Sequence, residues 1–278
     1  MAISTKIQWC DSTCNPTMGC DGCELWYHHT KKCYAGVLHR RFGKSIKGYA
    51  PSFEQVTLFP GRMATAAQWR DLSGQCRPDK PWLNDYPRLI FVSDMSDALS
   101  SAVDFAYLKK EVIDVVTSVA GQRHCWLWLT KRPSRMAWFY RWLLEHRIQW
   151  PNNLWPGTSI TNQRTTSRIA DLLRVGGAST IRFLSVEPQH EQITITPWLP
   201  HLDWVIQGGE SGHSAAEFNL LWARDLLRQC RQHEVPYFLK QLGAVVYDNY
   251  QPVTIGGTHG GNWDEWPSDL RVRELPPL

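Results

Sequence analysis

From residue 88 to residue 241 short apolar runs alternate with stretches whose apolar residues recur at helical spacing, and this alternation constrains the chain more than any other feature. Leu89-Ile90-Phe91-Val92 is a continuous apolar run that ends in Ser93-Asp94; across 104–120, Phe105, Leu108, Val112, Val115 and Val119 then return every three or four positions. The pattern repeats as a run at 125–129 with a helix at 134–145 behind Pro133, and as a run at 153–160 with a helix at 164–175 closed by Gly176-Gly177. Further runs at 181–186, 204–207 and 237–239 follow, with a helix at 220–233 between the last two. Parallel strands joined by crossover helices satisfy such a pattern. The expected fold class is therefore α/β, a parallel-stranded (β/α) barrel, complete or partial, of the TIM-like kind.

A chain of 278 residues is long enough for one such barrel, so 1–278 is expected to form a single domain. Two stretches fall outside the alternation. Residues 44–87 carry Pro51, Pro60, Pro78, Pro81 and Pro87 and read as an irregular elaboration with one helix near 62–72. Residues 243–278, with Gly256-Gly257 and Gly260-Gly261, read as a loop-rich end. Before them, 6–9 is a short strand candidate, and 34–42 is a helix with Arg40 and Arg41 in its last turn and Gly43 as its stop. No apolar stretch reaches the length of a membrane span and the start lacks the apolar region of a signal peptide, so a cytoplasmic protein with no membrane partner is expected. A net charge of +4 allows a nucleic-acid partner without requiring one.

Cys10, Cys14, Cys20, Cys23 and Cys33 crowd one end of the chain, whereas Cys76, Cys125 and Cys230 are scattered and read as core or surface thiols. Cys20, Cys23 and Cys33 share a polar loop with Gly19 and Gly22, so their sulfurs can converge without backbone strain. Three thiolates are what a 4Fe-4S cluster with one open iron requires. The spacing C-x2-C-x4-H-x4-C through His28 is also that of a zinc knuckle, although Glu24 and Tyr27 stand where the knuckle usually has glycines. Unliganded loop cysteines are the third reading, and His28 and His29 then read as exposed loop histidines. Cys14, or His28, would be the fourth ligand of a closed site.

The motifs around these cysteines, Ile7-Gln8-Trp9, Asn15-Pro16, Gly19-Cys20 and Cys33-Tyr34-Ala35, are followed in order by F-V-S-D-M-S-D, L-T-K-R-P, N-L-W-P-G-T-S-I, R-F-L-S-V-E-P, D-W-V-I-Q-G-G-E-S-G and F-L-K-Q-L-G. Together they resemble a phage and bacterial family of unknown function that carries a three-cysteine motif. The resemblance implies a barrel related to radical S-adenosylmethionine enzymes, with Cys20, Cys23 and Cys33 carrying the cluster. Three departures stand out. Thr30 lies where the family more often has a cysteine, Cys10 and Cys14 replace a hydroxyl residue and a tryptophan, and Ala216 takes the place of a common arginine.

Polar residues gather at the carboxyl ends of the apolar runs, the edge at which such barrels place their sites. Gly208-Gly209-Glu210 matches in composition the segment with which radical S-adenosylmethionine enzymes hold the methionyl amine, but comes late in the chain; a tight turn is the plain alternative. Ser159 and Glu187 join it as expected cofactor contacts. Asp94, Lys131, Arg132, Lys240 and Gln241 are the expected substrate contacts, the cations suiting a phosphate or carboxylate. The expectation is thus an iron-sulfur enzyme that uses S-adenosylmethionine and an external electron donor on a nucleic-acid base or nucleoside. Its rival is a zinc-stabilised, non-catalytic nucleic-acid-binding protein.

Overall fold

Most of the apolar runs form buried strands. The computed structural model describes residues 1–26, 30–43, 45–46 and 48–278, and in it the principal strands are β1 (Ser12–Cys14), β2 (Arg88–Val92), β3 (His124–Thr130), β4 (Leu154–Ile160), β5 (Phe183–Val186), β6 (Trp204–Gly208) and β7 (Tyr237–Gln241). His28 and His29 lie outside the described residues. The chain groups into two compact units, Met1–Pro156 with Val175–Thr180 and Gly157–Arg174 with Ile181–Leu278. Among the described residues no helix is long and apolar enough to cross a membrane.

In the first unit β1 runs parallel to β2, with Ser12 opposite Ile90 and Cys14 opposite Val92, and β2 runs parallel to β3, from Arg88 opposite His124 to Val92 opposite Trp128. In the second unit β5 runs parallel to Gly157–Ile160 on one side and to β6 on the other, and β6 runs parallel to β7. The α/β class with parallel strands is thus present in each unit. Helix α1 (Tyr34–Phe42) has the bounds its sequence suggested, and α2 (Pro133–Glu145) begins one residue earlier, on Pro133 itself, because proline fits the first helical position. Trp126 and Trp128, two apart on β3, are both fully buried, and the Trp128 ring lies edge-on to Phe139 of α2 at 6.0 Å. Helix α3 (Leu220–Gln232) lies in the second unit, and the Asn219 side chain accepts from Leu221 N at its start.

Among the departures from the sequence expectation, three have a local reason. Residues 6–9 form no strand, because the Lys80 ammonium gathers the carbonyls of Thr5, Ile7 and Cys10 at 2.8, 2.7 and 2.6 Å. An extended strand would hold alternate carbonyls roughly 7 Å apart, too far to share one cation. The helix expected over 104–120 is interrupted: after an α-turn, Phe105–Leu108, comes a π-turn, Lys109–Ile113, before Asp114–Val116. The buried Glu111 in that π-turn accepts hydrogen bonds from Gly61 N (2.9 Å) and Met63 N (3.1 Å), and so caps the helix Arg62–Ala67, whose own N-cap is a glycine without a side chain to do it. Finally, the loop-rich end contributes Val245–Asp248 and Gln251–Val253, which join Glu217–Asn219 in a small sheet of three strands.

Behind β1 a buried ion pair fixes the start of the chain. Arg77 meets Asp11 through two contacts, Nε to Oδ1 at 2.8 Å and Nη2 to Oδ2 at 3.3 Å, while Asp11 Oδ2 also accepts from Leu89 N at 2.9 Å on β2.

Candidate functional site

The cysteine loop is held from both sides. Gly19 sits at φ +84°, where a Cβ would lie 2.3 Å from the carbonyl oxygen of Gln55, so only glycine allows the approach in which Cys20 N donates to Phe53 O at 2.6 Å. At the far end Cys33 is the N-cap of α1 and its amide donates to Leu25 O at 2.9 Å. Between them Trp26 lies against Gly36 of α1, where a Cβ would meet its ring at 2.4 Å, and Lys31 and Arg40 stack on the same indole at 4.5 and 5.0 Å. A bare helix face and two cations thus hold Trp26 in place.

Cys20, Cys23 and Cys33 are free thiols, each partly exposed. Burial, reinforced by Asp97, pushes the Cys20 thiol up to about 12; burial also raises Cys23, against the opposing charge of Lys131. The charge on Cys23 acts on Cys20 and that on Cys33 acts on Cys23, so the three sulfurs are electrostatic neighbours. Among the described residues, however, no three His, Cys, Asp or Glu side chains are grouped so that they could hold a metal ion. In donor chemistry the set fits a cationic cluster: three unlinked thiols beside Lys131 and Arg132, of which burial makes Cys20 and Cys23 costly to ionise alone. Cys14 is different. It is fully buried in the hydrophobic core with Ile90 and Val92, and burial pushes its thiol up to about 12, as expected of a core residue.

Arg132 lies on this loop. Its Nη2 donates to Asp21 and to Gly22 O (2.9 Å), its Nε is 3.9 Å from Asp97 Oδ2, and it hydrogen-bonds the Cys20 sulfur. Asp97 is held in turn by Thr130 Oγ1 (2.8 Å), Lys131 N (3.1 Å) and Leu99 N (3.0 Å), and burial raises its carboxyl above the usual range. Asp94, raised likewise by burial, accepts from Asn15 Nδ2 at 2.5 Å. The carboxyl end of β3 therefore braces the cysteine loop through a run of hydrogen bonds, and Asp21 and Asp97 belong to the site although sequence reasoning gave them no role in it. The D-M-S-D motif, with its two carboxylates beside the end of β2, was the one signal available for Asp97.

In the second unit the remaining candidates form two groups. Glu187, directly after β5, is paired with Lys240 of β7, the two side chains being 17% and 18% exposed. Gly208 and Gln241 stand beside them: a Cβ at Gly208 would come 3.4 Å from both Gln241 Cγ and Glu187 Cδ. Lys240 reaches this place through a bulge, since Leu239 pairs with Gln207 and Gln241 with Gly208, leaving Lys240 as an extra residue on β7. Glu210 belongs to the second group, accepting from Ala216 N at 2.8 Å with His190 Nε2 3.8 Å away. Gly209 separates the groups, and a Cβ there would be 2.2 Å from Leu242 O. Ser159, buried on β4, offers its carbonyl to Arg168 Nη1 at 3.0 Å.

Among known proteins, a family model described as a protein of unknown function, DUF5131, matches residues 4–267. No curated protein and no solved structure matches the chain.

Proposed function

The chain belongs to the DUF5131 family, whose function is unknown, and we propose that it is an iron-sulfur enzyme of the radical S-adenosylmethionine type that acts on a nucleic-acid base or nucleoside. The observation that carries this reading is the trio of free, partly exposed thiols on one braced loop, two of which, Cys20 and Cys23, burial makes costly to ionise until a cationic centre is present. When bound there, a 4Fe-4S cluster with one open iron would take S-adenosylmethionine and, given one electron from an external donor, supply a 5'-deoxyadenosyl radical that removes hydrogen from substrate. Cys20, Cys23 and Cys33 would hold it. Arg132 would keep Cys20 in place through Asp21 and Asp97, and Lys131 would offset thiolate charge. Glu210, whose carboxylate accepts from Ala216 N with His190 beside it, has a carboxylate suited to the methionyl ammonium.

A nucleic-acid substrate is supported by charge. Lys31, Lys32, Arg40, Arg41, Lys44 and Lys47 stand in a stretch, 31–53, with no Asp or Glu, and Lys32, Arg40 and Arg41 are exposed. The test is chemical. Protein purified without oxygen should contain iron and acid-labile sulfide at about four each per chain. After reduction in the presence of S-adenosylmethionine it should release methionine and 5'-deoxyadenosine, seen by mass spectrometry. Stoichiometric zinc without sulfide would replace this reading with that of a zinc-stabilised binding protein, and a loaded cluster that leaves the cofactor intact would make the cluster structural.

A further inference from the structure

The bulge on β7 sets two consecutive side chains beside one another. In a regular strand Lys240 and Gln241 would point to opposite faces. Here the extra residue re-aims Lys240 onto Glu187, while Gln241 lies against the bare Cα of Gly208, whose absent side chain leaves Glu187 and Gln241 as neighbours. The Gln241 amide is fixed: its Nε2 donates to Gly209 O at 2.9 Å, so its Oε1 must face the other way. Gln241 is 2% exposed, and among the described residues this Oε1 is a buried acceptor without a donor. An unmet buried acceptor costs free energy unless something supplies a hydrogen to it.

Lys240 and Glu187, here paired with each other, and Gln241 Oε1 supply between them one donor, one carboxylate acceptor and one amide acceptor. We propose that they form a subsite for a guanine-type edge, in which an acceptor oxygen is followed by a ring N–H and an exocyclic amine. Lys240 donates to the oxygen, Glu187 accepts from the ring N–H, and Gln241 Oε1 accepts from the amine. Adenine offers no such sequence of groups, and hypoxanthine lacks the amine. The subsite rests on the reading of the substrate as a base or nucleoside, but not on iron at the cysteines.

Calorimetric titration with guanosine, inosine and adenosine tests it, using the full-length protein and its Cys20→Ala variant. Guanosine should bind both proteins equally, inosine roughly 5- to 150-fold more weakly because it leaves the Gln241 acceptor unpaired, and adenosine more weakly still. In Gln241→Leu the guanosine-to-inosine ratio should fall to about one, whereas Lys240→Met should weaken both nucleosides and preserve the ratio. Circular dichroism checks that the variants are folded, and the ratio measured on the unaltered protein does not depend on them. Equal binding of guanosine and inosine, preference for adenosine, or no nucleoside binding would overturn the subsite. If guanosine binds as expected in protein that never acquires iron, the cluster reading fails and the subsite stands; if the iron chemistry is present and no nucleoside binds, the reverse holds.

Discussion

Alanine at Cys20, Cys23 or Cys33 is expected to strip the anaerobically purified protein of essentially all its iron and sulfide, whereas alanine at Cys76, Cys125 or Cys230 is expected to leave both unchanged. A three-thiolate site has no spare ligand, so each member is needed in full. The contrast is sharpened by Cys14, which stands only six residues before Cys20 yet lies at 0% exposure among core side chains. Cys14→Ala should keep the iron and cost only packing. Iron by colorimetric assay and the visible absorption of the cluster are the readouts. Iron retained by Cys20→Ala at the level of the unaltered protein would sink the assignment, and iron lost from Cys14→Ala would mean a fourth thiolate closes the site.

The second large effect is on stability. Arg77→Ala should lower the free energy of unfolding by about 3–5 kcal/mol, read as a fall in the urea midpoint, because it leaves the Asp11 carboxylate buried without its partner. Both side chains are 8% exposed, and Arg77 also serves the carbonyls of Leu83, Tyr86 (2.8 Å) and Pro87 (3.1 Å). Against a typical total of about 5–15 kcal/mol, such a loss is a large share of the whole. An apolar pair, Arg77→Met with Asp11→Leu, should recover part of it, since no lone charge then remains buried. A midpoint unmoved by Arg77→Ala would show that the pair is dispensable.

Much of the architecture could be read from hydrophobic pattern because the strands that carry it are buried on both faces; Arg88–Val92 and Trp204–Gly208 are apolar almost throughout, and their ends fell where polar residues begin. The first strand was missed because Ser12 and Thr13 give no apolar signal: its burial is met by hydrogen bonds, as when Arg88 Nη1 donates to Ser12 Oγ at 2.8 Å. The cysteines could be read because three of one rare residue in one loop is a chemical pattern independent of fold. What braces them could not. Arg132 and Asp21 are neighbours only after β2 and β3 have paired, and sequence assigned Arg132 to substrate rather than to the loop. The bulge at Lys240 left no mark either, since Tyr-Phe-Leu-Lys-Gln reads the same with or without an extra residue.

The π-turn at Lys109–Ile113 has the form of a one-residue insertion into an ordinary helix. Removing that residue would restore α-helical geometry and swing Glu111 by about 100° around the axis, one residue's rotation at 3.6 residues per turn. The carboxylate would then leave Gly61 N and Met63 N, and the helix Arg62–Ala67 would lose the cap its own sequence does not provide. Length in this helix is therefore tied to a glycine 50 positions away: a lineage that shortens the one must supply a capping side chain, such as Ser or Asp, at the other.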